Sequence, residues 1–235
     1  MRIDVWSDFG CPFCIIAKTK LEQALGQFAM REHVEVVYRS FQLDPHAENR
    51  TLTVQQLALE KRMTVEQMKA KQAQVAEMIK QETGLIASYD PVVIANTFDA
   101  HRLVHFAAQA GKGAEMNERI FHAYLSQSLN IADHDVLVAL GQKAGLDGQK
   151  VADMLGSEAY KDAVLADIAT ARGYNISSLP AFVFNNKYLV LGAQPVEVLL
   201  NAMETIWEED RHFLKPSVKD PAEGEDSCKD GACRI

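Results

Sequence analysis

The stretch Arg2-Ile3-Asp4-Val5-Trp6-Ser7-Asp8-Phe9-Gly10-Cys11-Pro12-Phe13-Cys14 decides how this chain is read. Its first part alternates enough to predict a short, partly buried strand over residues 2–6. Its second part opens a helix from about Pro12 to Phe28, with Ile15, Ile16, Leu21 and Leu25 on the apolar face. Pro12 suits the first helical turn, where its missing N–H costs nothing. The run from Val34 to Leu43 is rich in β-branched and aromatic residues and predicts a second strand, ended by Asp44-Pro45-His46. A strand, helix and strand this close together form a βαβ unit, which is parallel and right-handed.

Cys11 and Cys14 carry the chemistry of that unit. Three residues apart at a helix start, their sulfurs share a face and are placed to close a disulfide. The free N–H groups and partial positive charge of a helix N-terminus favour thiolate over thiol at Cys11. Cys14, one turn further in, is expected to be deeper, as a resolving thiol must be. Zinc ribbons use the same Cys-x-x-Cys spacing, but here the pair follows a strand and opens a long helix, which favours redox chemistry. Asp8 is expected to cap the turn before Cys11 rather than to act as a base.

Composition narrows the function from outside. The 235 residues carry 24 Lys plus Arg against 32 Asp plus Glu, a formal charge of −8. That balance disfavours nucleic acid, whose affinity comes mainly from Lys and Arg neutralising phosphates, and it disfavours anionic membranes too. With 48% hydrophobic and 24% charged residues the chain supports a packed core, which excludes disorder as its main state. Charges interrupt the first residues at once, and no run approaches the ~18 apolar residues of a membrane span. The expectation is a cytoplasmic protein. In that compartment paired cysteines are catalytic, redox-sensing or metal-binding more often than structural.

From about residue 50 to residue 175 only helical periodicity is visible. A long helix starts near Thr64, with Val65, Met68, Val75 and Ile79 on one face; further helices are expected over 96–110, 114–128, 133–144 and 157–172. Gly145 and Gly173 read as stops and Ser157 as an N-cap. Met63, Met68 and Met78 read as core at this spacing, not as a ligand stripe. Strand signals return at Pro180–Phe184 and Tyr188–Leu191, with Asn185-Asn186 between them suited to a tight hairpin because Asn tolerates positive φ. A last helix begins near Pro195 and continues through Trp207. Beyond Arg211 the chain is polar, and it holds Cys228 and Cys233.

Ser177-Ser178-Leu179-Pro180 precedes the hairpin. A proline entering a strand needs an edge, a bulge or a cis bond. One reading is an ordinary trans proline at a strand start. The other is a cis bond that brings the Leu179 backbone beside Cys11, ready to pair with an extended substrate.

This order of strand, Cys-Pro-Phe-Cys helix, strand, helical insertion, then Leu-Pro before a hairpin and helix resembles the DsbA family of thioredoxin-fold oxidoreductases. Ser40-Phe41-Gln42-Leu43-Asp44-Pro45, Asn96-Thr97-Phe98-Asp99-Ala100-His101-Arg102-Leu103 and Gly192-Ala193-Gln194-Pro195 resemble its FrnE-like cytoplasmic branch. The resemblance implies an α/β thioredoxin fold with a large all-helical insertion. Residues 1–48 and 176–210 would form the discontinuous thioredoxin-like domain, 49–175 the inserted helical domain and 211–235 a tail. It implies Cys11 as nucleophile, Cys14 as resolving cysteine and Pro180 as the cis-proline, with Leu179 and Phe13 contacting substrate. It also places Asn96, Thr97 and His101 on a helix facing the cleft between the lobes, where Asn96 and His101 would line a substrate pocket.

The dipeptide between the cysteines is Pro-Phe, where DsbA carries Pro-His. Phenylalanine cannot stabilise a thiolate by charge. A potential of roughly −150 to −250 mV is therefore expected, less oxidising than the ~−120 mV of DsbA, which points to reduction or isomerisation of protein disulfides. No cofactor is expected. Expected partners are proteins with disulfides or thiols, and a low-molecular-weight thiol or the thioredoxin system as electron partner. Cys228 and Cys233 read first as an auxiliary redox pair, and otherwise as a metal pair or an idle tail. The four thiols would also suit a tetrahedral zinc site, so a zinc-holding chaperone or binding module is one competing function. A glutathione-using isomerase or transferase of the same superfamily is another, and the presence of two cysteines argues against it.

Overall fold

Ile3, Val5 and Trp6 are almost fully buried, which puts β1 (Arg2–Ser7) inside a sheet and not at its edge. It pairs in parallel with β2 (Glu35–Ser40) and antiparallel with β5 (Ala181–Phe184), which in turn pairs with β6 (Tyr188–Leu191). The order is β2-β1-β5-β6. Asn185 and Asn186 turn the β5–β6 hairpin with φ of 48° and 56°, the left-handed conformation expected of them. The computed structural model describes residues 1–214.

Two helices cover one face of this sheet, while Trp6, Ala181 and Val183 on the other meet Ala171 and Ile176. α1 (Pro12–Gln27) and α9 (Val196–Leu214) share a core in which Ala17, Leu21 and Ala24 meet Phe182, Phe184, Leu199 and Met203. Burial of one such Leu or Phe side chain contributes about 1.5–3 kcal/mol. α1 also has a second buried face. Cys14, Ile15 and Ile16, with Phe9 and Cys11, enter a different core built by the insertion.

That insertion contains α2 (Val54–Glu60), α3 (Val65–Thr83), α4 (Phe98–Ala108), α5 (Gly113–Leu125), α6 (His134–Lys143), α7 (Gly148–Leu155) and α8 (Lys161–Gly173). Thr53 and Thr64 each close a capping box, with Gln56 and Gln67 respectively, and so start α2 and α3. It is helical except for a three-residue ladder of β3 (Arg50–Leu52) on β4 (Val92–Ile94). Residues 157–172 are not one helix capped by Ser157. Asp147 caps α7, a helix the periodicity did not reveal, by accepting from Gln149 and Lys150. The Ser157 hydroxyl donates to the Met154 carbonyl and so helps to end α7, while α8 starts four residues later.

Few polar residues fasten the insertion to the sheet. Asp167 of α8 accepts from Arg39 at 2.9 Å and from the Ser40 N–H at 2.9 Å, and lies 3.0 Å from His105 of α4. Trp6 donates its indole N–H to the Asp167 carbonyl. Arg102 of α4 is buried and donates to the carbonyls of Met154, Ser157 and Ala159 and to the Asp99 carboxylate, which ties α4 to the end of α7. No helix among the described residues is long and apolar enough to cross a membrane.

Candidate active site

The cysteine loop is shaped by Asp8. Its main-chain oxygen accepts the Cys11 N–H at 3.0 Å, while its carboxylate accepts the N–H of Gly10 at 3.3 Å and of Leu43 at 2.7 Å. The Leu43 bond explains why β2 stops at Ser40 and not at Leu43: the chain leaves the ladder to reach this buried carboxylate. Cys11 occupies the N-cap of α1, and no side chain caps that end. The N–H groups of the first turn therefore face no competing side-chain cap, although the Cys14 N–H also donates to the Cys11 carbonyl at 3.0 Å.

Both cysteines are free thiols. The Cys14 thiol, donating to the Cys11 sulfur, does most to draw the Cys11 pKa below the ordinary thiol value. Burial opposes this, and the N–H groups of Phe13 and Cys14 assist it. Cys14 is pushed well above the ordinary value, first by burial and then by the neighbouring Cys11 sulfur. Exposure is 6% at Cys11 and 2% at Cys14, whereas Phe13 between them is 42% exposed. Thus the two buried sulfurs are pushed in opposite directions, Cys11 toward thiolate and Cys14 toward thiol.

Leu179 comes to the same place. Its carbonyl oxygen lies 4.0 Å from the Cys11 sulfur, and its side chain packs against the core that contains both cysteines. The Leu179–Pro180 bond is cis, as is Asp90–Pro91 in the insertion. Gly192, at φ 82°, donates its N–H to the Pro180 carbonyl and anchors the loop from behind.

The other expected residues divide. His101 is buried behind Phe9, with ring centroids 4.7 Å apart, and its Nε2 has no hydrogen-bond partner and lies 3.7 Å from the Asp8 carboxylate. It stands behind the cysteine loop, enclosed by core, and not on the open wall of a pocket. Burial raises the Asp8 pKa, but His101, the Leu43 N–H and Thr97 outweigh it and hold the carboxyl below its ordinary range. Asp8 therefore does more than shape the turn: its negative charge opposes thiolate formation at both cysteines.

Asn96 is engaged within the protein, accepting from Gln42 and donating to the Pro45 carbonyl. It clamps the loop after β2 and borders a recess with Phe98 and Asp99, away from the cysteine loop. Cys228 and Cys233 lie outside the described residues. Among the described residues no cluster of His, Cys, Asp and Glu could hold a metal ion.

The sheet order, with a Cys-x-x-Cys pair opening the first helix and a Leu-Pro carbonyl at its sulfur, defines the thioredoxin class. Within that class, a model of the DSBA-like thioredoxin domain matches residues 2–204. The chain belongs to that family and is a thiol–disulfide oxidoreductase in the general sense of its members. A probable DsbA oxidoreductase from Streptomyces coelicolor is 33% identical, with a TM-score of 0.82 over 89% of this chain and 91% of that one. An uncharacterised protein of Bacillus subtilis, YwbO, is 27% identical over 86% of this chain and 96% of that protein. The cytosolic disulfide reductase DsbM of Pseudomonas aeruginosa, solved with GSH, shares the fold at 18% identity, with a TM-score of 0.62 over 88% of this chain and all of that one.

Proposed function

We propose that this chain reduces or isomerises protein disulfides in the cytoplasm through Cys11 and Cys14. The observation that carries this reading is the opposed state of the two sulfurs, one favoured as thiolate at the helix end and the other buried as thiol. The Cys11 thiolate attacks one sulfur of a client disulfide, forming a mixed disulfide and releasing the client's other sulfur as a thiolate, which takes up a proton. Cys14 then loses its proton and attacks the Cys11 sulfur. The client's second thiol departs, and two electrons have passed from the Cys11–Cys14 dithiol to the client. A low-molecular-weight thiol or a thioredoxin-type dithiol restores the pair. In isomerisation the released client thiol attacks the mixed disulfide before Cys14 does. The Leu179 carbonyl beside Cys11 suits an extended client segment laid along that edge.

We further propose that Cys228 and Cys233 act as an auxiliary redox pair that exchanges with the Cys11–Cys14 pair, either reducing or reoxidising it, or protects Cys11 from overoxidation. Unchanged turnover after truncation at Lys215 would remove that assignment. Insulin reduction driven by dithiothreitol tests the main reading. Wild type is expected to accelerate it and Cys11→Ser to fall to the uncatalysed rate; equal rates for the two would reject it.

A further inference from the structure

Met68, buried as its core reading expects, and the half-buried Met63 also line a cavity of about 460 Å³ with Val75, Tyr89, Tyr124 and Leu125. Gly10 and Pro12, the two neighbours of Cys11, form part of its wall. An occupant therefore sits within a residue or two of the reacting sulfur. The volume lies in the range of small-ligand pockets, enough to take an apolar side chain with its neighbouring backbone. Two exposed lysines, Lys61 and Lys71, border it, no Asp or Glu lines it, and neither lysine has an ion-pair partner among the described residues. In a chain of net charge −8, this gathers unpaired positive charge beside an apolar hollow.

We propose that this cavity selects the client polypeptide: it takes an apolar side chain next to the client's reacting cysteine, and Lys61 and Lys71 pair with carboxylates just beyond it. The inference rests on the disulfide-exchange reading, which is what brings a client cysteine to Cys11. The wall chemistry sets the occupant. A thioether and aromatic lining rewards an apolar side chain through the area it removes from water. A polar tripeptide thiol such as glutathione would lose hydration in the same hollow without apolar surface to compensate. The lysines add charge complementarity, which selects among apolar segments by their acidic neighbours.

Calorimetric titration of the reduced full-length chain tests this with capped peptides in which serine replaces cysteine. The probes are Leu-Ser-Leu-Glu-Glu, Leu-Ser-Leu-Lys-Lys and Gly-Ser-Gly-Glu-Glu. The first is expected to bind at least tenfold more tightly than the other two. The double variant Lys61→Glu/Lys71→Glu should lose that preference, while Lys61→Arg/Lys71→Arg keeps it; melting curves check that both are folded. Equal affinity for the three peptides, or a preference unchanged by charge reversal, would overturn the proposal. Displacement of the first peptide by an equal concentration of glutathione would assign the cavity to a small thiol instead. Self-association abolished by Lys61→Glu/Lys71→Glu would assign it to a second copy of the chain. None of the probes contains sulfur, so their binding is decided separately from the insulin assay.

Discussion

Cys11 stands between two bodies of structure that each have an apolar core and differ in the buried polar contacts added to it. Toward the sheet, α1 rests on apolar side chains from β5 and α9, a core of many interchangeable contacts. Toward the insertion, the same helix end enters a second apolar core, to which buried polar contacts are added: Asp167 with Arg39 and His105 where α8 meets the sheet, and Arg102 with the carbonyls that end α7 within the insertion. Apolar packing is graded, so a lost methyl group is partly absorbed by its neighbours. A buried charge that loses its partners is not absorbed, because the remaining group stays desolvated. The cavity beside Cys11 belongs mainly to the second body.

Breaking these polar contacts should give the largest effect. Arg102→Ala leaves the carbonyls of Met154, Ser157 and Ala159 without their donor, and a loss of about 3–5 kcal/mol is expected in urea unfolding. A loss no greater than that of Leu199→Val, an apolar truncation on the sheet side, would erase the contrast.

Asp167→Asn should cost about 2–3 kcal/mol at pH 7 and also change the acid response. Burial raises the Asp167 pKa, but His105, the Ser40 N–H and Arg39 bring it below the ordinary carboxylate range. A carboxyl whose folded pKa is depressed gives stability that is present above the unfolded value of ~3.9 and is lost as pH falls through the folded value. Wild type should therefore lose stability more steeply below pH 4 than Asp167→Asn does. Parallel curves for the two proteins would show that this carboxylate does not fasten the lobe.

The smallest effect sharpens the account at the site itself. Asp8 raises the pKa of both cysteines by charge, so Asp8→Asn should lower the pH midpoint of Cys11 alkylation. An unchanged or raised midpoint would mean that its hydrogen bonds to the loop outweigh its charge.

The same contrast explains what the sequence discloses. The βαβ unit, the cysteine pair and the Asn185–Asn186 turn depend on neighbours a few residues away, and each follows from spacing and backbone preference. Arg102 and Asp167 look like surface charges, because the carbonyls that accept from Arg102 lie 52–57 residues off and the Arg39 and Ser40 donors to Asp167 lie 127–128 residues off. The helix α7 is only eight residues long and starts on a glycine, so it offers too little periodicity to read. Each strand of the β3–β4 ladder is three residues long and likewise falls below any pattern. Helical spacing places Met63 and Met68 on an apolar face but cannot say that the face borders a hollow. For His101, the resembled family suggested the right helix, and only the packing of Phe9 over it reveals that it is enclosed.

Iodoacetamide labelling of the reduced protein across pH, with each cysteine followed by peptide mapping, tests the division of labour between the sulfurs most directly. Cys11 should react first, with a midpoint below the ~8.5 of an ordinary thiol, and Cys14 only slowly at any pH at which the fold persists. Faster labelling of Cys14, or a Cys11 midpoint at or above the ordinary value, would contradict the account.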